Sequence, residues 1–263
     1  MSEHLHRTDP APIGAVALVT GAARRIGRAI ALGLARDGYD IAVHYGRSRV
    51  EALATVDDVV ALGRRAVALD CDLADPDATA ALMARAREAL GPVSCLVNNA
   101  SLFDYDNAQD FSAQQLARHM QVNVSAPLLL ARALHAQLPA GGQGVVINLL
   151  DQKLYNLNPD FLSYTLSKAA LHTATTMLAQ ALAPAVRVVG IAPGITLVSG
   201  EQSEEGFTMA HQATPLGRSS TLDDVADSVC YVARARALTG TTLLVDGGQH
   251  LIPLNRDVMF LAK

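Results

Sequence analysis

Ala15-Val16-Ala17-Leu18-Val19-Thr20-Gly21-Ala22-Ala23-Arg24-Arg25-Ile26-Gly27 decides the fold. The apolar run reads as a strand over residues 15–20. It gives way at Gly21 to a helical pattern over 25–37, where Ile26, Ile30 and Leu34 recur every four residues and Gly38 suits the stop. The turn between them is tight and built of small residues. Backbone N–H groups and the helix dipole then face one point above the strand end, and missing side chains allow close approach. That is what a pyrophosphate needs.

The same rhythm continues along the chain. Apolar runs at 41–45, 66–70, 95–98, 145–149, 186–191 and 242–245 show little polar alternation, as strands buried on both faces should. Helical stretches fall at about 49–62, 76–90, 112–138, 160–182 and 222–236, with Asp75-Pro76 supplying an N-cap and a first-turn proline. This alternation predicts an α/β fold. Residues 13–263 form a single doubly wound Rossmann domain, a seven-stranded parallel sheet with helices on both faces. Residues 1–12 read as a flexible polar tail without the apolar stretch of a secretion signal, with His4 and His6 solvated. Residues 195–220 are polar and follow a strand end, so they are expected to be a substrate lid or else a surface loop.

Half of the 263 residues are hydrophobic, 17% are charged and the net charge is −4. That supports a sizeable core and argues against disorder. The basic residues are scattered, which points away from nucleic acid, and no apolar run approaches a membrane span. Cys71, Cys95 and Cys230 are too few and too dispersed for a disulfide framework or a zinc site. They read as buried thiols in a reducing cytoplasm, and no metal is expected.

Two further clusters bear on chemistry. The second strand ends in His44-Tyr45-Gly46-Arg47-Ser48, where an NAD-selective site usually carries an acid. Arg47 and Ser48 instead suit the 2′-phosphate of NADPH, with Arg24 or Arg25 adding positive field. Tyr164 and Lys168 stand four apart in a predicted helix and share a face, with Asp151 thirteen positions upstream of the tyrosine. The ammonium is expected to pull the phenol's pKa down from about 10, fitting it to exchange a proton with a carbonyl or imine.

Taken together, residues 14–251 resemble the short-chain dehydrogenase/reductase family. The matching motifs are the glycine turn, Asp72, Asn98-Asn99-Ala100, Asn123, Tyr164 with Lys168, Pro193-Gly194 and Val245-Asp246-Gly247-Gly248. The resemblance implies cofactor contacts from Gly21, Arg25, Ile26, Gly27, His44, Tyr45, Arg47, Ser48, Asp72, Leu73, Asn99, Ala100, Ser101, Lys168, Pro193, Gly194 and Ile195. It also implies a water relay through Asn123 and a homotetramer built on the helices at 112–138 and 160–182. Three departures stand out: Arg25 where most members have glycine, Ser101 where most have glycine, and Asp151 where most have serine. All three resemble the pteridine reductase branch, in which an aromatic at the position of Phe103 stacks on the pterin. A flat heterocycle between Phe103 and the nicotinamide would have its polar edge held by Arg25, Ser101 and Asp151. Asp104 and Asp106 read as solvated loop acids.

The expectation is an NADPH-dependent reductase acting on a C=N bond of a dihydropteridine such as dihydrobiopterin, dihydromonapterin or dihydrofolate. Tyr164, Lys168 and Asp151 would manage the proton. A carbonyl or 3-oxoacyl reductase and a catalytically silent NADP-binding regulator are the rival readings.

Overall fold

Alternate residues of each strand feed opposite helix layers, and this parity builds the molecule. The computed structural model describes residues 15–198 and 203–260, so the expected tail at 1–12 lies outside the described residues. The strands are β1 (Val16–Val19), β2 (Asp40–Tyr45), β3 (Ala66–Asp70), β4 (Val93–Asn98), β5 (Gly144–Leu149), β6 (Val186–Pro193) and β7 (Thr242–Val245). They form one seven-stranded sheet in the order β3-β2-β1-β4-β5-β6-β7, with every pairing parallel.

Helices α1 (Arg25–Arg36), α2 (Arg49–Ala61) and α8 (Leu222–Arg234) cover one face. There Ala17, Val19, Val43, Val97 and Ile147 meet Ile30, Leu34, Val59 and Val229. Helices α3 (Pro76–Leu90), α5 (Ala126–Gln137) and α6 (Leu162–Ala181) cover the other, where Val16, Leu18, Leu96 and Val146 meet Leu82, Leu130, Leu134 and Ala179. Strands sandwiched this way need apolar residues at every position, which is why their sequences do not alternate.

Two elements differ from the sequence reading. The stretch expected as one helix over 112–138 is α4 (Ala113–Met120), a π-turn at Gln121–Ser125 and then α5. The backbone stays right-handed helical throughout, but one turn is widened at Asn123. The polar segment at 195–220 contains a helix, α7 (Glu204–Gln212). Ser203 caps it by accepting from the Gly206 N–H, and its buried face holds only small Gly206 and Ala210, too little apolar bulk to register as periodicity. Residues 199–202 of that segment lie outside the described residues.

Helix α8 begins with a reciprocal cap. Thr221 Oγ1 accepts from the Asp224 N–H, and the Asp224 carboxylate accepts from the Thr221 N–H at 2.9 Å. Hydrogen bonds from Arg218 and then Thr221 hold the Asp224 carboxyl down at about 2. A depressed carboxyl contributes stability above its ordinary pKa and loses it as pH falls through the folded value. Asp224→Asn should therefore lower the unfolding free energy at neutral pH by about 1 kcal/mol, allowing for solvent screening of this partly exposed group. Urea denaturation measures it, and the gap between variant and wild type should narrow from about pH 4 towards pH 2.

Candidate active site

The strand order reverses between β1 and β4, so the loops leaving their carboxyl ends diverge and open a crevice. Side-chain hydrogen bonds fix its rim. Thr20 Oγ1 accepts the N–H groups of Asn99 and Ala100, both at 3.0 Å, and donates to the Val97 carbonyl at 3.3 Å. Asn99 Nδ2 donates back to the Thr20 carbonyl at 2.8 Å. A Cβ on Gly27 would stand 2.6 Å from that same Nδ2, so only glycine fits there.

His44 was expected to touch cofactor, but it is 2% exposed and both ring nitrogens are committed to protein. Nδ1 accepts the Gly21 N–H at 3.0 Å, so the proton sits on Nε2, which donates to the Cys71 carbonyl at 3.1 Å. Burial pushes its pKa down to about 4, keeping it neutral. His44 shapes the glycine turn from behind. Asn123 is similarly occupied. Its amide donates to the Leu102 carbonyl and Ser167 Oγ, and its oxygen accepts the Leu102 N–H at 2.8 Å, so the side chain is held by protein partners.

The N-terminus of α1 suits an anion. No side chain caps it and no acid occupies its first turn. Arg25 opens the helix at φ 54°, a left-handed conformation that costs a non-glycine residue about 1–2 kcal/mol. Its guanidinium donates twice to the Val198 carbonyl at 3.0 Å, tying the loop after β6 to the cradle. At the end of β2, Arg47 is exposed and Ser48, the N-cap of α2, makes no capping hydrogen bond. Asp72 is exposed at the end of β3, where its carboxylate accepts the Ala74 N–H, and Leu73 beside it is buried.

A cavity of about 520 Å³ occupies the crevice. It gathers Arg25, Ile26, Asn99, Ser101, Phe103, Asp151, Tyr164, Lys168, Pro193, Gly194 and Ile195. Gly21, Gly27, His44, Tyr45, Arg47, Ser48, Asp72, Leu73, Ala100 and Asn123 are not among its lining residues. Tyr164 Oη donates to Asp151 Oδ2 at 2.7 Å. Lys168 Nζ lies 5.7 Å from the Tyr164 ring centroid and donates to the Leu149 carbonyl at 2.7 Å.

These contacts reverse one expectation. The Tyr164 pKa is raised well above 10 instead of lowered, by burial first and then by the Asp151 carboxylate. Burial also raises Asp151, against hydrogen bonds from the Lys153 N–H and the Tyr164 hydroxyl and the charge of Lys168. Lys168 itself is pulled down to about 8 by burial, with Asp151 opposing. Loss of water outweighs the cation, and the site favours uncharged groups: it holds the proton on the carboxyl and the phenol and loosens it on the amine.

Phe103 is 38% exposed on the cavity wall. Its ring stacks on Phe161 at 4.3 Å and meets Tyr164 edge-on at 4.6 Å. Phe161, held at φ 55° before α6, is the buried backing of that wall. Asp106, read as solvated, is 2% exposed and accepts the Ser163 N–H at 2.9 Å, securing the start of α6.

Sequence reasoning missed a wall made by the C-terminal segment. Asp257, Val258 and Met259 line the cavity, as does Gln249. Lys153 Nζ bonds Asp257 at 2.7 Å in a buried ion pair, and Arg256 clasps Asp160 through two bonds of 2.8 Å. Residues 251–260 show no periodicity or motif that could have revealed this, although Gln249 directly follows the Asp246-Gly247-Gly248 motif.

If Asp151 holds the phenol proton in place, removing its charge must ease ionisation. Asp151→Asn should lower the Tyr164 pKa, followed by NMR titration of ring-labelled tyrosine with the resonance assigned through Tyr164→Phe. An unmoved pKa would remove the Coulombic account.

Residues 15–206 match the family model described as short chain dehydrogenase. The chain is 41% identical to FolM alternative dihydrofolate reductase 1 from Brucella canis, solved in complex with NADP. That match has a TM-score of 0.88 and covers 92% of this chain and 96% of that one. It is 32% identical to L-rhamnose 1-dehydrogenase (NAD(P)(+)) from a Sphingomonas species, over 90% of this chain and 97% of the relative. It is also 31% identical to the 3-oxoacyl-[acyl-carrier-protein] reductase of Staphylococcus aureus, over 89% of this chain and 98% of the relative. Fold, crevice and relatives agree: the chain belongs to the short-chain dehydrogenase/reductase family and is an oxidoreductase.

Proposed function

We propose that the protein is an NADPH-dependent reductase of a C=N bond in a dihydropteridine. The observation that carries this reading is the Tyr164–Asp151 hydrogen bond at 2.7 Å, set beside the exposed ring of Phe103. A family serine at 151 donates to a carbonyl oxygen; a carboxyl there also carries a proton and accepts from ring N–H groups. The similarity to the Brucella canis reductase supports the same substrate class.

The cradle fits a phosphorylated dinucleotide. The uncapped start of α1 receives the pyrophosphate, with Gly27 letting the helix pack close against the glycine turn, and Arg47 with the uncapped start of α2 receives the 2′-phosphate. Lys168, at the base of the cavity, holds the nicotinamide ribose. When bound, the reduced cofactor supplies hydride to the substrate carbon.

The proton side belongs to the protein. Asp151 is partly exposed to the cavity, and its raised pKa keeps it protonated to higher pH than a free carboxyl. Once protonated it donates to Tyr164 Oη, which frees the phenolic hydrogen to turn towards the substrate nitrogen. As that nitrogen takes the phenolic proton, the carboxyl proton moves to the phenol oxygen. Asp151 recovers its own proton from solvent. Phe103, backed by Phe161, offers a flat face for the heterocycle, while Arg25 and Ser101 line the side that meets its polar edge. Self-association through α4–α5 and α6 into a homotetramer is part of the same reading, supported by exposed Leu166 and Met177 on α6.

Four measurements test it. NADPH consumption should be seen with dihydrobiopterin or dihydrofolate and not with ketones or acetoacetyl thioesters; the reverse result would make the enzyme a carbonyl reductase. Tyr164→Phe should cut kcat/KM by about 10²–10⁴ while NADPH still binds. In the wild type, kcat/KM should fall as pH rises through the raised Asp151 pKa, a limb that Asp151→Ser should abolish. Arg47→Asp should weaken NADPH binding about 10- to 100-fold and spare NADH.

A further inference from the structure

Two aspartates, Asp151 and Asp257, line the reaction cavity, and one residue ties both into place. The Lys153 N–H donates to Asp151 Oδ1 at 2.8 Å, while its side chain donates to Asp257 Oδ2 at 2.7 Å. Asp257 Oδ1 accepts the Met259 N–H at 3.1 Å. The ammonium is enclosed: Asn158 Oδ1 accepts a second of its hydrogens, and the Phe161 ring faces it at 5.4 Å. Lys153 is 2% exposed and Asp257 8%. Apolar residues of the same volume are often as stable in such a place, so the charges themselves point to a role.

Two carboxyl groups on one poorly hydrated wall do not both ionise freely. The one against a cation takes the charge, and the other keeps a proton. Here the contacts decide between them. Asp257 has an ammonium in direct contact. Asp151 has the Tyr164 hydroxyl and a backbone N–H, while the Lys168 ammonium is turned to the Leu149 carbonyl. The charged and titratable groups around Asp151 are Tyr164 and Lys168 on α6, Lys153 in the turn that follows it and Asp257 on the C-terminal segment. Arg24 and Arg25 line the same cavity at the start of α1. Burial is the first influence that raises Asp151 and Tyr164, and the Asp257 charge adds to it in both.

We propose that Asp257 is a positioning residue of the proton path: paired with Lys153, its carboxylate takes the negative charge of the two acids and leaves the proton with Asp151. The use of that proton in reduction rests on the dihydropteridine reading; its placement does not. Lys153 serves both acids, orienting one through its backbone and neutralising the other through its side chain.

The charges can be varied stepwise in the full chain. Asp257→Asn leaves the Lys153 cation unopposed, Lys153→Met leaves the Asp257 anion unopposed, and the double variant removes both. Carbon-13 NMR of protein labelled at the aspartate carboxyls follows Asp151 without any substrate, with its resonance assigned through Asp151→Ser. The Asp151 midpoint should drop by about one pH unit or more in Asp257→Asn, a tenfold or greater loss of proton affinity. From highest to lowest, the midpoints should run Lys153→Met, wild type, double variant, Asp257→Asn. A midpoint unmoved in Asp257→Asn, or one that departs from this order, overturns the proposal. The falling limb of kcat/KM for dihydrobiopterin or dihydrofolate should move in the same order. A clasp that is only structural would lower activity or stability and leave the limb in place, and that result also overturns it. Failure of the wild type to reduce any dihydropteridine would strike the proposed function, while the NMR titration would still judge the placement of the proton. Asp257→Asn keeps the side-chain shape and the double variant leaves no unpaired buried charge, so the series decides even where Lys153→Met fails to fold.

Discussion

One threonine hydroxyl holds the crevice in shape. Where β1 and β4 end, the ladder between them ends too, and their last amides need new partners. Thr20 Oγ1 serves two of them, on Asn99 and Ala100, and uses its own hydrogen on Val97. The Asn99 side chain answers with a bond to the Thr20 carbonyl. His44 performs the equivalent task from β2, receiving the Gly21 N–H while donating to Cys71 beyond β3. Four strand ends are thereby locked without any side chain projecting into the path of a ligand. The glycines can then stay bare, because the backbone is positioned from behind.

Inside the crevice, the contest between burial and charge sets the chemistry. Lys168 shares a helix face with Tyr164, and that alone would favour phenolate. Yet its ammonium is turned to the Leu149 carbonyl, and a carboxylate is in direct contact with the phenol. A carboxylate in direct hydrogen-bond contact within a dry site outweighs a cation farther away. Removal from water then pushes every group towards its uncharged form. The result is a carboxyl and a phenol that keep their protons to higher pH than in water, beside an amine that gives its proton up more readily.

How much of this was readable from the chain depended on whether a signal was local. All seven strands stand where apolar runs place them, because a strand covered on both faces needs no partner residue to identify it. The Tyr164–Lys168 spacing and Asp151 are local too, and Asp151 does lie against the phenol. The π-turn around Asn123 was invisible, since its residues remain helical in composition and only the hydrogen-bond stagger changes. Helix α7 was missed because it buries glycine and alanine. The Tyr164 pKa was misjudged because burial is a tertiary quantity that i,i+4 spacing does not report. Arg25 is the reverse case: an arginine in a glycine position looks like an exception, and the left-handed backbone there explains why glycine is the usual choice.

The clasp between residues 151–161 and 256–260 has a wider bearing. Asp151 and Tyr164 belong to segments close together in the chain, whereas the wall opposite them comes from the last residues described, fastened by Lys153 to Asp257 and Arg256 to Asp160. The Asp151–Tyr164 pair and the C-terminal wall of the same cavity are therefore encoded about a hundred positions apart. The terminal stretch can change its cavity-lining side chains without disturbing that pair, so long as the two fasteners survive.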